Sequence, residues 1–421
     1  MSAVRNLMPD EAKSAGEPKS PAVSWPSAIG LNAGNFFLAE VTGVTLPFVA
    51  AYLKDLKFEP LPIGIALTLA GLGVFLMQSP AGFITDRVKQ RRIMLAVASV
   101  LLGVCYALIP IVPASSLFID PLLFLSGAGQ AFFLPLLGAL ALGLAGHKGL
   151  NRMMGHNQCW NHAGNLAAAL SALLLVYLFS SSVPVFYAVF AVSVLAGASV
   201  FLIRPKEINE DLASGRVGKD DKPIRFLDLL RDRRVVILIA ATALFHLANA
   251  PVMPLVAQDV KDMSPGEGGD TKVALVVLVA QTVMIPVALL ADWLVDRWGR
   301  KPVLAIGFIV LPIRIGLYAL ATSPWMLIAI QTLDGVGAGI YGVAIVAVCA
   351  DLTRGKGGFN ALSGVIATAL AVGGVLGPIS TGALTQYLGY PAAFGIFAGI
   401  AAVAAVLFVG FMPETMDAKA A

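Results

Sequence analysis

The densest run of hydrogen-bonding side chains in this chain reads His156-Asn157-Gln158-Cys159-Trp160-Asn161-His162-Ala163-Gly164-Asn165. It lies inside a long apolar stretch. Asn157, Asn161 and Asn165 recur at every fourth position, so they share one face of a helix; Gln158 and His162 occupy the adjoining face. A carboxamide both donates and accepts hydrogen bonds, so this stripe suits recognition of a polar molecule rather than bond-making chemistry. A lipid-facing helix could not hold it. Two readings remain open: contact with a substrate, together with Trp160, or hydrogen bonding that glues helices. Substrate contact is the reading carried forward.

Other polar residues stand alone in apolar surroundings. Asn32, Asn35 and Glu40 share one stretch, and Glu40 is its one carboxylate well inside. Burial disfavours the charged form of a carboxylate, as proton carriage requires. Permanent pairing with a base is the alternative, and Arg314 is a conceivable partner. His246 and Asn249 stand three apart, followed by Pro251 and Pro254. Gln331, Asp334 and Tyr341 fall in another stretch, with positions 334 and 341 on one face. Asp334 is the second candidate proton carrier. Gln130 and Gln281 complete the set of candidate substrate contacts.

Several chemistries find no support. No Gly-x-x-x-x-Gly-Lys-Ser/Thr loop is present, so ATP-driven pumping is not expected. His147, His156, His162 and His246 lack zinc-ligand spacing, and no metal site is expected. No apolar stretch pairs a nucleophile with a base, so an enzyme is disfavoured and no cofactor is expected. Cys105, Cys159 and Cys349 show no paired spacing and read as reduced thiols.

The elements that must position these groups follow from composition. The chain is 58% hydrophobic and 13% charged, with mean hydropathy +0.83; soluble domains are about half apolar and a quarter charged. Twelve apolar runs are long enough to cross ~30 Å of hydrocarbon as helices: 27–53, 61–84, 92–112, 118–146, 152–179, 183–203, 234–258, 271–294, 302–321, 324–350, 357–385 and 389–411. The expected fold is all-α and membrane-integral. Arg and Lys crowd the loops after spans two, four, six, eight and ten. The positive-inside rule puts both termini in the cytoplasm of a multi-pass inner or plasma membrane protein. Residues 1–26 read as a disordered cytoplasmic tail and 412–421 as a second tail. Residues 204–233 read as a cytoplasmic linker with an amphipathic helix around Phe226, Leu229 and Leu230.

Two charged loops repeat. Gly82-Phe-Ile-Thr-Asp86-Arg87-Val-Lys89-Gln-Arg91-Arg92 is echoed by Asp292-Trp-Leu-Val-Asp296-Arg297-Trp-Gly299-Arg300-Lys301, 210 residues on (296 against 86). Ser126-Gly-Ala-Gly129 matches Asp334-Gly-Val-Gly337 at nearly the same offset. His147-Lys-Gly-Leu-Asn151 resembles Gly355-Lys-Gly-Gly-Phe-Asn360. Arg204-Pro-Lys-Glu207 resembles Met412-Pro-Glu414. These landmarks imply parallel six-helix bundles over 27–203 and 234–411, a common way of building transporters.

Twelve spans in two halves, with an Asp-Arg loop after spans two and eight, resemble the major facilitator superfamily over about residues 27–411. The second loop is a close match to that family's signature, and the first departs from it at Val88-Lys89. The resemblance implies alternating access to a central site lined by spans one, four, five, seven, eight, ten and eleven. It also implies gating by Asp86, Arg87, Asp296, Arg297 and Arg300. In that scheme Asp86 meets the start of span eleven near 358–360, and Asp296 meets the start of span five near 151–153. A helix start carries partial positive charge that a carboxylate can hold. Leu123 stands where many exporters of this superfamily carry an Arg in span four. The Gly-Pro of Gly377-Pro378 is in span eleven, whereas one drug-exporter subgroup has it in span five.

The reading is a secondary transporter of a small polar or amphiphilic organic molecule, coupled to protons and exporting by antiport. Proton-symport uptake of a polar nutrient or organic anion is the alternative, and a non-transporting receptor the second. The expected partners are the small-molecule substrate, protons and the bilayer. Nucleic acid is not expected, and the chain is expected to be a monomer.

Overall fold

A computed structural model describes residues 23–43, 45–213, 231–265, 268–353 and 359–416. Among them are twelve helices long and apolar enough to cross a membrane. In chain order, spans one to six are Trp25–Asp55, Pro60–Thr85, Arg91–Leu108, Ser116–Gly146, His156–Phe179 and Val183–Leu202. Spans seven to twelve are Arg233–Met263, Gly269–Trp298, Arg300–Ala319, Pro324–Thr353, Leu362–Leu388 and Tyr390–Phe411. No strand occurs among the described residues. Hydrocarbon offers no partner for a bare N–H or C=O, and a helix satisfies both internally.

Helix ends follow local chemistry. Ser115 caps span four by accepting from the Leu117 N–H, and Asp232 caps span seven by accepting from the Arg234 N–H at 3.0 Å. Span one is described as the helical segments Trp25–Gly43 and Thr45–Asp55, and span seven is a broken helix, Arg233–Asn249 and Val252–Met263, interrupted beside Pro251. Between spans four and five the chain turns at Gly146, with φ 64° and ψ 177°, a conformation glycine adopts at little cost.

The two bundles repeat one packing scheme. Span one packs on spans five and six, two on four, and three on four and six. Span seven packs on eleven and twelve, eight on ten, and nine on ten and twelve. The halves meet where span two lies on eleven, five on eight and one on seven. Thr68 of span two enters the backbone ladder of span eleven beside Pro378: it donates to the Val375 carbonyl at 2.9 Å and accepts from the Ile379 N–H at 3.0 Å. A hydroxyl inserted there is one recognised cause of a helix bend.

Among the described residues, the ion pairs between the halves lie at the end away from the two Asp-Arg loops. Lys54 pairs with Asp262, Lys261 with Asp55, and the Leu61 N–H donates to Gln386. At this end Phe48, Ala168, Ala172 and Val176 join the apolar core of the second half. At the basic end Phe83, Leu289, Leu290 and Trp293 are exposed. The described ion pairs between the halves thus join them at the far end.

Candidate polar cavity of the first half

A cavity of about 340 Å³ opens among spans one, two, four and five. Five expected contacts line it: Asn35, Gln130, Asn157, Gln158 and Asn161. Thr42 and Gln78 line it as well. Leu38, Val74, Leu134 and Leu137 supply apolar wall. Asn35 donates to the Leu31 carbonyl at 2.9 Å, which fixes its amide on the helix. Asn165 donates to the Oδ1 of Asn161 at 3.2 Å and fills the space above Gly43, where any Cβ would overlap it. That contact ties span one at Gly43 to the stripe on span five. Asn157 is 3% exposed, and its Oδ1 has no partner among the described residues. A buried acceptor without a partner is costly, and a ligand donor would satisfy it.

The other candidates of the first half lie off this wall. Asn32 is half-buried on span one. Trp160 is largely exposed, edge-on to Phe36 with ring centroids 6.3 Å apart. His162 is half-buried with Nδ1 lacking a partner among the described residues. Glu40 faces a space of about 20 Å³ shared with Ser171, Val185 and Val189, room for about one water. Its Oε1 accepts from the Ser171 hydroxyl at 3.4 Å. Among the described residues it has no basic partner.

The second half holds its polar groups differently. Arg314 of span nine pairs with Asp334 of span ten, and its Nη2 donates to Asn249 of span seven at 2.5 Å. Arg314 is 3% exposed, and its guanidinium lies 6.0 Å from the Tyr318 ring centre. The carboxylate of Arg314 is therefore Asp334, in its own half, and not Glu40. Tyr341 stacks on Phe245 at 4.5 Å and donates to Thr242 at 3.3 Å, inside the bundle. His246 is half-buried, with Gly373 of span eleven against its backbone. Gln281 is half-buried and its Oε1 has no partner among the described residues.

At the basic end, Asp296 is exposed and accepts from Arg300 at 2.8 Å. Arg300 also pairs with Asp351 at 3.0 Å. Arg297 lies over Trp293, and Arg87 over Phe83. The expected partners of Asp296 at 151 and 152, the Asp86 side chain and the start of span eleven lie outside the described residues. So do residues 226–230 of the expected linker helix. Sequence reasoning passed over Gln78 and Thr42. Gln78 carried a signal, being a lone carboxamide in the apolar run before Pro80.

A sequence model of the Major Facilitator Superfamily matches residues 31–311 and 248–420. An uncharacterized MFS-type transporter of Mycobacterium tuberculosis, Rv2456c, is 33% identical over 388 residues, covering 91% of this chain and 92% of the relative. A Lactococcus lactis multi-drug resistance efflux pump PmrA homolog is 29% identical over 124 residues, 30% of each chain. Among solved structures, a mutant form of the nucleoside transporter NupG superposes with a TM-score of 0.76 at 14% identity, covering 92% of this chain and 100% of that one. With the twelve spans and the repeated loop, these matches assign the chain to the Major Facilitator Superfamily.

Proposed function

We propose that this protein exports a small polar or amphiphilic organic molecule in exchange for protons, by rocking its two bundles about the polar cavity. The observation that carries this reading is Asn157, with its buried unpartnered acceptor, beside five other carboxamides lining the cavity. Such a wall selects by hydrogen bonding and rejects ligands that leave it unpaired. The partial likeness to efflux pumps supports export. With the basic loops cytoplasmic, the ion-paired end is the external one, which an exporter closes while it loads.

Glu40 and Asp334 are the proposed proton carriers. Protonating Asp334 would remove the charge that Arg314 balances, so the two states of this carboxyl can favour different arrangements of spans seven, nine and ten. Coupling requires such a difference, since equal affinity in both orientations moves nothing.

A thermal-stability screen of the purified protein against polar metabolites, chelators and lipophilic cations at two pH values tests the site. A ligand at a hundred times its dissociation constant stabilises by about 2.7 kcal/mol. Stabilisation by polar compounds, weakened in Asn161→Ala, is the expected result. Hits confined to lipophilic cations and indifferent to Asn161 would overturn it. Flux of a hit in proteoliposomes then gives direction. If Glu40→Gln and Asp334→Asn each transport uphill at the parental rate and pH dependence, neither carries the proton.

A further inference from the structure

Spans one and seven end in the same pattern. Leu53-Lys54-Asp55-Leu56 closes the first and Val260-Lys261-Asp262-Met263 the second, 207 residues on (261 against 54). Leu53 and Val260 are fully buried and fix the two helix ends. The dipeptides then exchange partners across the interface between halves. Lys54 Nζ lies 2.9 Å from Asp262, and Lys261 Nζ lies 2.7 Å from Asp55. Reciprocity of this kind is the mark of a self-complementary contact about a two-fold axis. Each Lys also occupies the last turn of its helix, where the carbonyl ends favour a cation.

The surroundings of the two dipeptides differ. Lys261 also pairs with Asp270 at 3.0 Å, and Asp262 accepts from the Tyr390 hydroxyl at 2.8 Å; both partners belong to the second half. The side chains of Lys54 and Asp55 have no further ion-paired or hydrogen-bonded partner among the described residues. Separation of the halves would leave the second half's pair satisfied and hand the first half's pair to water.

We propose that this exchanged Lys-Asp couple is the latch that holds the far end shut, so that Lys54, Asp55, Lys261 and Asp262 set how often the protein opens on that side. The proposal rests on the rocking reading above. It adds to the polar cavity a second determinant of transport, at the opposite end of the interface, and assigns its members different costs on opening.

Spin labels at Ala114, between spans three and four, and Thr322, between spans nine and ten, report the far-end distance by pulsed electron resonance. The protein would carry Ala at Cys105, Cys159 and Cys349 and sit in lipid nanodiscs. An ion pair with one partner open to water, as each of these has, contributes about fivefold to an equilibrium. Removing both pairs with Lys54→Ala and Lys261→Ala should raise the long-distance population about three- to tenfold. Lys54→Asp should raise it too, and adding Asp262→Lys should bring it back. A purely structural lysine would not be rescued by that exchange. Gly64→Ala supplies the independent control. A Cβ there would overlap the Pro378 carbonyl on span eleven, so the far end must part whatever the latch does. If Gly64→Ala lengthens the distance and the charge variants do not, the latch is overturned and rocking stands. Were neither to lengthen it, both would fall.

Discussion

The two halves share one helix scheme and spend their polar residues in opposite ways. The first half turns them toward a cavity: Asn35, Gln78, Gln130, Asn157, Gln158 and Asn161. The second half turns them on each other, with Arg314 between Asp334 and Asn249, and Tyr341 against Thr242. Span five and its counterpart span eleven show this at matched positions. Asn157, Asn161 and Asn165 correspond, at the 209-residue offset of Asn151 and Asn360 (360 against 151), to Ile366, Leu370 and Gly374. Duplication therefore preserved the path of the helices and not the chemistry of their faces. The packing partners of a span depend on its small and apolar residues, whereas a cavity face is free to diverge. The expected division of labour is ligand recognition in the first half and charge storage in the second.

The largest test of that division is Arg314→Ala. It leaves Asp334 nearly buried without its counter-charge, and breaking a buried pair costs about 3–5 kcal/mol. The melting temperature in detergent should fall sharply. Replacing both partners, Arg314→Met with Asp334→Leu, should recover most of the loss, since apolar residues of similar volume need no compensation. A single substitution without effect would mean that the second half does not store a charge pair, and the contrast would collapse.

The next effect is on ligand binding. Asn157→Ala removes an unpartnered acceptor, so the unliganded protein should be as stable or slightly more so. Affinity for a polar ligand should drop about tenfold, the worth of one hydrogen bond of about 1.4 kcal/mol. Tyr341→Phe should do the reverse, losing the bond to Thr242 at about 1 kcal/mol of stability while leaving ligand affinity unchanged. A ligand screen on both variants sharpens the comparison. Equal losses of affinity in both would place recognition across the two halves rather than in one.

Much of this was legible in the sequence for a physical reason. A bilayer imposes length and apolarity on every span, so twelve runs could be read directly, with ends within a few residues of the helices seen. The stripe on span five was legible because its period of four has one meaning in a helix. What stayed hidden was partner choice. Arg314 could have served Glu40, Asp334 or the membrane surface, and only the packing of spans seven, nine and ten decides among these. The Lys-Asp couple was hidden because two charged dipeptides near helix ends read as ordinary interfacial charges. The cavity contacts Thr42 and Gln78 are single residues without period. Glu414 gave no sign that it serves a loop more than a hundred positions away.

That last residue gives the smallest effect and contrasts the two Asp-Arg loops themselves. In the second half, Gly299 adopts φ 98° and is the single residue between the helices ending at Trp298 and starting at Arg300. In the first half, Lys89 stands at the matching place, and three residues, Val88 to Gln90, separate the helices. A side chain resists positive φ, so the first loop needs the longer path. The tight turn exposes the first N–H groups of span nine, and Glu414 covers them, accepting from Arg300 at 3.0 Å and Lys301 at 3.1 Å. A carboxylate at a helix start is favoured by both hydrogen bonding and the dipole. Glu414→Ala should therefore cost about 0.5–1 kcal/mol, near the low end for a lost cap because the site is exposed. Scanning calorimetry beside Arg314→Ala would rank the two. A cost for Glu414→Ala as large as that of the buried pair would mean that the tail organises the second half, and that the loop contrast outweighs the contrast between cavity and charge pair.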